Sequence, residues 1–305
     1  MELIRKTWPI SQTLHLSYLT GGIGAPVMLL HGLADHGLVW SNLAAVLSAP
    51  PPTGLHQSYH CIAPDLRGHG KSSKPPASAY DSRVLAADLE TLAQGLKLGP
   101  VKVVAHSWAA KIALLWAQQQ PQRICRLILV DPFFVNRLPR VFRMSFPILY
   151  RTLPFLKVMG PFASYEAAMA VARSLKQYRG WSPLQAAAFE AGMEQKPDGR
   201  WGSKFAIAAR NGVFQDVLQL AGLTQSLTTP TCLIIPQQGL NRTAWQLRPY
   251  QKYLSDCTTL SVPGNHWPHL VEPQAFNQTI LTLLNEEPVC TDRANSNPAD
   301  SAQQA

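Results

Sequence analysis

The chain has 305 residues, 46% hydrophobic and 15% charged, enough apolar material for a large core and too much for a disordered protein. Its size fits one decorated domain better than two independent ones. The net charge of +9 would suit a nucleic-acid ligand, but the excess is local, with eight cations between Phe133 and Gly180 (Arg137, Arg140, Arg143, Arg151, Lys157, Arg173, Lys176, Arg179) against Glu166 alone, so no nucleic-acid partner is expected.

In chain order, Leu3–Trp8 and Thr13–Leu19 read as two strands forming an antiparallel edge. Val27–His31, Tyr59–Pro64, Val101–His106, Cys125–Asp131, Thr231–Ile235 and Thr258–Val262 read as further strands, each a compact apolar run closed by Gly, Pro or a polar residue. Between them Trp40–Leu47, Ser82–Leu96, Ala109–Gln119 and Pro273–Leu284 carry apolar residues at helical spacing, as with Val84, Leu85, Asp88, Leu89 and Leu92. Strands alternating with helices predict an α/β fold, a mostly parallel sheet with helices on both faces.

One interruption, 133–229, is too long for a loop in a compact domain and predicts an inserted helical cap, with helices over Ala163–Gln177 and Pro183–Gln195. Pro139, Pro147, Pro154 and Pro161 break its first part into short pieces. The core is thus expected over 1–132 and 230–287, and the polar, Pro-rich residues 288–305 read as a disordered tail. In the insertion Phe142, Phe146, Leu149, Leu153 and Phe155 interleave with the cations, which fits an ordinary solvated face, or peripheral contact with a membrane or an anionic ligand.

Cys61, Cys125, Cys232 and Cys257 lie in or beside apolar runs without the paired spacing of a metal site or disulfide framework, so buried free thiols and no metal are expected. Met1–Ser11 lacks the apolar core of a signal peptide, and no run reaches the ~18 apolar residues of a membrane span. A cytoplasmic setting is the expectation. No dinucleotide or flavin signature is visible, so no cofactor is expected, and no obligate protein partner is evident.

Chemistry concentrates at strand ends. The strand Val101–Ala105 runs into His106-Ser107-Trp108-Ala109-Ala110 and directly into a helix, the arrangement of a nucleophile elbow. It exposes the Ser107 hydroxyl above the sheet and aims the Trp108 amide where an oxyanion would form. The usual G-x-S-x-G glycines are alanines here, Ala105 and Ala109, and Ser is also a favoured helix N-cap, so the surrounding motifs decide. His31-Gly32-Leu33 follows an apolar strand and offers the Leu33 amide as a second oxyanion donor. Asp65-Leu66-Arg67-Gly68-His69-Gly70-Lys71-Ser72 superficially suggests a phosphate loop, but Asp65 stands where the leading glycine would be needed. Late in the chain, Pro263-Gly264-Asn265-His266-Trp267-Pro268-His269 supplies two candidate bases; His266, immediately after the Pro-Gly turn, is favoured over His269. His31, Gly32, His106 and Trp267 are expected to line a substrate pocket, whereas His36, His69 and Trp40 receive no catalytic role.

Together these motifs, in their order from Leu14 to Leu284, resemble the α/β-hydrolase superfamily of capped serine hydrolases. The resemblance implies an eight-stranded sheet and a triad of Ser107, His266 and an acid. In most of the family the acid follows the strand after the cap, but here that segment reads Ile234-Ile235-Pro236-Gln237-Gln238-Gly239-Leu240-Asn241 and carries no carboxylate. Asp131, ending the strand before the cap, looks like the alternative acid position of some lipases and many haloalkane dehalogenases; failing it, Asn241 would orient a weaker His-Ser dyad. The dehalogenases themselves resemble this chain except that an aspartate occupies the nucleophile position. The implied function is hydrolysis of a carboxylic ester of a hydrophobic small molecule. Cleavage of a carbon–carbon bond in an anionic substrate is the alternative that the cap arginines favour, and the missing acid motivates a third, non-catalytic ligand binding.

Overall fold

In the computed structural model, which describes residues 3–50 and 58–286, the strands assemble into one eight-stranded sheet. The first elements are β1 (Ile4–Pro9), β2 (His15–Gly21), β3 (Ala25–Leu30), α1 (Ser41–Ser48), β4 (Tyr59–Pro64), α2 (Ser82–Gly95), β5 (Val101–His106), α3 (Ala109–Gln119) and β6 (Ile124–Val130). The insertion then contributes α4 (Phe146–Thr152), α5 (Tyr165–Arg173), α6 (Pro183–Gly192), β7 (Met193–Gln195), β8 (Trp201–Ser203) and α7 (Ile207–Val217). The chain returns through β9 (Thr231–Gln238), α8 (Ala244–Tyr253), β10 (Cys257–Asn265), α9 (Pro268–Val271) and α10 (Pro273–Asn285). The sheet order is β1-β2-β4-β3-β5-β6-β9-β10. β1 pairs antiparallel with β2 and β2 with β4, while every other pairing is parallel, the mostly parallel sheet and antiparallel edge expected from the strand pattern.

Successive strand residues point to opposite faces, and the central strands are apolar on both. Met28, Leu30, Val103, Ala105, Leu127 and Leu129 pack with Leu85 and Leu89 of α2 and Ile112 and Trp116 of α3. Val27, Leu29, Val104, Ile128 and Val130 pack on the other face with Leu43 and Leu47 of α1 and Phe276 and Ile280 of α10. Two helical layers thus sandwich the sheet, and the C-terminal ends of the parallel strands share one edge, where such sheets place their ligands.

The insertion differs from the expectation in three respects. Its middle has a small core of its own, with Val158, Ala168, Ala172, Tyr178, Phe189 and Met193. Met193–Gln195, expected to be helical, is a strand paired antiparallel with Trp201–Ser203: the helix stops at Gly192, and the Asp198-Gly199 turn returns the chain along itself. The last helix, α7, belongs to the main core: Val213 and Phe214 join the cluster above α2 and α3, and Asp216 accepts from Lys111 Nζ at 2.6 Å and from the Ser82 amide at 3.0 Å.

Cys61, Cys232 and Cys257 are free, but Cys125 is disulfide-bonded, which corrects the expectation of free thiols; a disulfide joins residues near in space, and spacing along the chain does not report that. The proposed tail, 288–305, lies outside the described residues. Among the described residues no helix is long and apolar enough to cross a membrane.

Candidate active site

Ser107 sits between β5 and α3 with φ +56°, a left-handed conformation that a non-glycine residue holds only under constraint. The constraint is visible: its amide donates to the Val130 carbonyl at 2.9 Å, and its own carbonyl accepts from the Ala110 and Phe133 amides at 3.1 Å each. Ala105 and Ala109, the alanines of the elbow, are fully buried, so the added methyls are absorbed in the core. At Gly32 a side chain would meet His106 Nδ1 at 2.6 Å and Ser107 Cβ at 3.3 Å, which explains the glycine beside the serine.

The pairing of β5 with β6 places His106 opposite Val130, so the next residues, Ser107 and Asp131, leave the sheet side by side. Asp131 turns as sharply, with φ +40°. His266, just past the end of β10, leans back across β9 to meet both. Its Nε2 lies 2.9 Å from Ser107 Oγ and its Nδ1 2.6 Å from Asp131 Oδ2. This is the geometry in which Nδ1–H donates to the carboxylate, leaving Nε2 free to take the hydroxyl proton.

Asp131 is fully buried and accepts three further hydrogen bonds, from the Leu240 amide at 2.8 Å, the Asn241 amide at 3.2 Å and Asn241 Nδ2 at 2.8 Å. Burial alone would raise its pKa, but the His266 and Asn241 hydrogen bonds and the Leu240 amide outweigh it and hold the carboxyl below the usual range. Asn241 therefore orients the acid and not the histidine. His269 is buried, stacked on Trp40 with ring centroids 4.4 Å apart, and neither ring nitrogen has a partner. Burial and the neighbouring His266 push its pKa down to about 3, so it packs as a neutral ring.

A cavity of about 410 Å³ opens above Ser107 and is lined by Leu33, His106, Trp108, Phe133, Phe134, Leu153, Pro154, Phe155, Leu240, His266 and Trp267. Lys176, Gln177, Gln238, Gly239, Arg242 and Asn265 complete it: two cations and no carboxylate. Of the residues expected to line a pocket, the structure brings His106 and Trp267 to the wall and leaves His31 and Gly32 out of it. His31 is fully buried; its Nδ1–H donates to the Gly32 carbonyl at 2.8 Å and its Nε2 accepts from the Leu66 amide at 2.9 Å. Both nitrogens are committed to pinning the strand-end loop, and burial holds the ring neutral with its pKa lowered to about 4. His36 likewise donates to the Ala188 carbonyl, and His69 stacks between Trp108 and Phe205.

Behind the wall lies a carboxyl that motif reading did not single out. Asp35 Oδ2 accepts from Trp267 Nε1 at 3.3 Å, and burial raises its pKa to about 7. His106 Nδ1 is 4.0 Å away, but the two do not form an ion pair: burial, with His266 and His269 nearby, keeps His106 neutral, and its Nε2–H donates to the His266 carbonyl at 2.7 Å. Among the described residues no group of three or more His, Cys, Asp or Glu side chains gathers to hold a metal ion.

A family model described as alpha/beta hydrolase fold matches residues 25–225. A soluble epoxide hydrolase from a Corynebacterium species is 33% identical over 116 residues, 38% of this chain and 37% of the relative. The lipase LipV of Mycobacterium tuberculosis is 28% identical over 189 residues, 61% of this chain and 64% of the lipase. The chain thus spans less than two thirds of each of these relatives. Among solved structures, E-2-(acetamidomethylene)succinate hydrolase superposes with a TM-score of 0.74 at 20% identity, over 93% of this chain and 100% of the other. A marine microorganism esterase superposes at 0.67 and 20% identity, over 88% and 98%. At these identities the likeness shows the fold.

Proposed function

Because the chain belongs to the α/β-hydrolase family, we propose that it is a serine hydrolase that cleaves a carboxylic ester, or a related acyl bond, of a hydrophobic small molecule. The observation that carries this reading is the hydrogen-bonded line from Ser107 through His266 to Asp131, opening on the apolar cavity. His266 takes the Ser107 proton as Oγ attacks the carbonyl carbon, and Asp131 stabilises the imidazolium that forms. The Leu33 and Trp108 amides, both at the cavity floor, receive the oxyanion. His266 returns the proton to the leaving alcohol, and a water activated by the same nitrogen releases the acid from Ser107.

The resemblance to an epoxide hydrolase does not carry over to that activity. Opening an epoxide with Ser107 would leave an alkyl ether, which has no carbonyl for water to attack, so turnover would stop at the alkylated serine. An acyl substrate leaves an ester, and the cycle closes.

The two cations in the lining, Lys176 and Arg242, favour a second reading, cleavage of a carbon–carbon bond in a substrate that carries a carboxylate. Of the cap cations, Arg137, Arg140, Arg143 and Arg151 do not line the cavity.

Labelling by a fluorophosphonate probe tests the reaction class, with Ser107→Ala as control. Labelling abolished by that change supports an activated serine, and a panel of neutral and carboxylate-bearing esters then separates the two readings. Intact, folded protein that resists the probe overturns both in favour of a binding protein.

A further inference from the structure

The part of the insertion that leads into the cavity wall carries a surface the reaction does not use. Between Pro132 and Tyr165 the chain has five cations, Arg137, Arg140, Arg143, Arg151 and Lys157, and no carboxylate. All five are exposed, and among the described residues none forms an ion pair. The same stretch carries four exposed apolar side chains: Val141 at 67%, Phe142 at 45%, Met144 at 82% and Ile148 at 64%.

The local fold enforces this display. Phe146 and Tyr150 set their rings against Phe214 of α7 at 5.2 and 5.0 Å, which fixes the inward face of α4. Met144, in the 3-10 turn Arg140–Ser145 that leads into α4, and Ile148 of α4 stay exposed, with Arg140 and Arg143 in the same turn and Arg151 in the same helix. An apolar stripe edged by unpaired cations is the composition of a helix lying in the interface of an anionic membrane.

We propose that this face docks on an anionic lipid bilayer, the apolar chains entering the headgroup–acyl boundary and the cations meeting lipid phosphates. A nucleic acid would satisfy the charge but leave four apolar side chains in water. A second copy of the chain would bring five cations against five. Docking presents Leu153, Pro154 and Phe155, which follow the patch and line the cavity, to the membrane. The proposal is independent of the reaction assigned above, because binding is read without turnover.

Co-sedimentation of the full chain with phosphatidylcholine vesicles, with and without phosphatidylglycerol, tests it. Binding is expected only to the vesicles containing phosphatidylglycerol, weakening as sodium chloride is raised. At about five-fold in partitioning per cation, R140A/R143A should lower binding roughly 30-fold. M144E/I148E, at surface positions, should lower it as well, while both variants keep their circular dichroism and their fluorophosphonate labelling in solution. Wild-type protein left in the supernatant, or variants that bind as it does, overturns the proposal. Loss confined to the arginine variant, with the same arginine dependence for duplex DNA, replaces it with a general polyanion surface.

Discussion

Replacing Asp131 by Asn exchanges one carboxylate oxygen for an NH2 group at nearly constant shape, and the hydrogen-bond inventory dictates which way the amide turns. Oδ2 receives His266 Nδ1 and the Leu240 amide; Oδ1 receives the side chain and the amide of Asn241. Turned toward Asn241, the NH2 group opposes two donors. Turned toward His266, it opposes the Leu240 amide, and the imidazole relieves its own conflict by moving its proton from Nδ1 to Nε2. The second arrangement is therefore favoured, and in it Nε2 can no longer accept the Ser107 proton. The expected loss is on the order of 10⁴-fold in kcat, about 5.5 kcal/mol of barrier. The opposed Leu240 donor costs folding only about 1–3 kcal/mol, so the variant remains folded. Steady-state hydrolysis of an activated ester reads the first quantity and denaturant unfolding the second. A folded Asp131→Asn protein within tenfold of the parent would refute the assignment of Asp131 as the orienting acid.

Three further perturbations follow from the same structure. A methyl at Gly239 would lie 2.7 Å from Asp131 Oδ2 and 3.0 Å from Oδ1, so Gly239→Ala should displace the carboxylate and lower kcat roughly 100-fold with the acid still present; unchanged kinetics would show that the loop yields instead. Asp35 titrates from about 3.8 unfolded to about 7 folded, so the stability it contributes at low pH is lost progressively as pH rises and is gone above about 7. Asp35→Asn, whose amide oxygen still accepts from Trp267, should match the parent in acid and exceed it in Tm above neutrality; parallel curves across that window would contradict the raised carboxyl. Lys111→Met removes the fully buried partner of Asp216 and should destabilise by about 3–5 kcal/mol in urea, while a loss under about 1 kcal/mol would mean that Asp216 is satisfied without it.

The strands of the main sheet were legible because each buried strand is a short apolar run between breakers, and the elbow because a strand, a serine and a helix adjoin without a linker. Ser107 and His266 could be named from those boundaries. That Asp131 stands beside Ser107 follows from a register between strands that no local pattern encodes; the clue was negative, the absence of a carboxylate after β9. Asn241 was legible as a polar residue in the expected place but not as the donor that holds Asp131. Asp35, Arg242 and the place of Lys176 in the lining were not legible, because each depends on which distant wall the residue faces. The β7–β8 hairpin and the membership of α7 in the main core were hidden for a related reason, since both are settled by contacts between parts of the insertion and other elements. His31, expected at the wall, instead turns its ring inward to the Leu66 amide, a choice set by a contact 35 residues away.

With Asp131 directly after β6 and Ser107 directly after β5, the serine and its proposed acid leave the ends of neighbouring strands of one ladder. The segment from Gln238 to Arg242 is thereby released from supplying a carboxylate. It owes the site two backbone amides, the Asn241 side chain and room for Asp131 at Gly239, while the side chains of Gln238, Leu240 and Arg242 face the cavity. Gln238 and Leu240 are consequently the natural positions to randomise in a search for new substrate preferences, whereas Arg242, whose Nε donates to the Gly239 carbonyl at 2.8 Å, helps to hold the loop around Asp131.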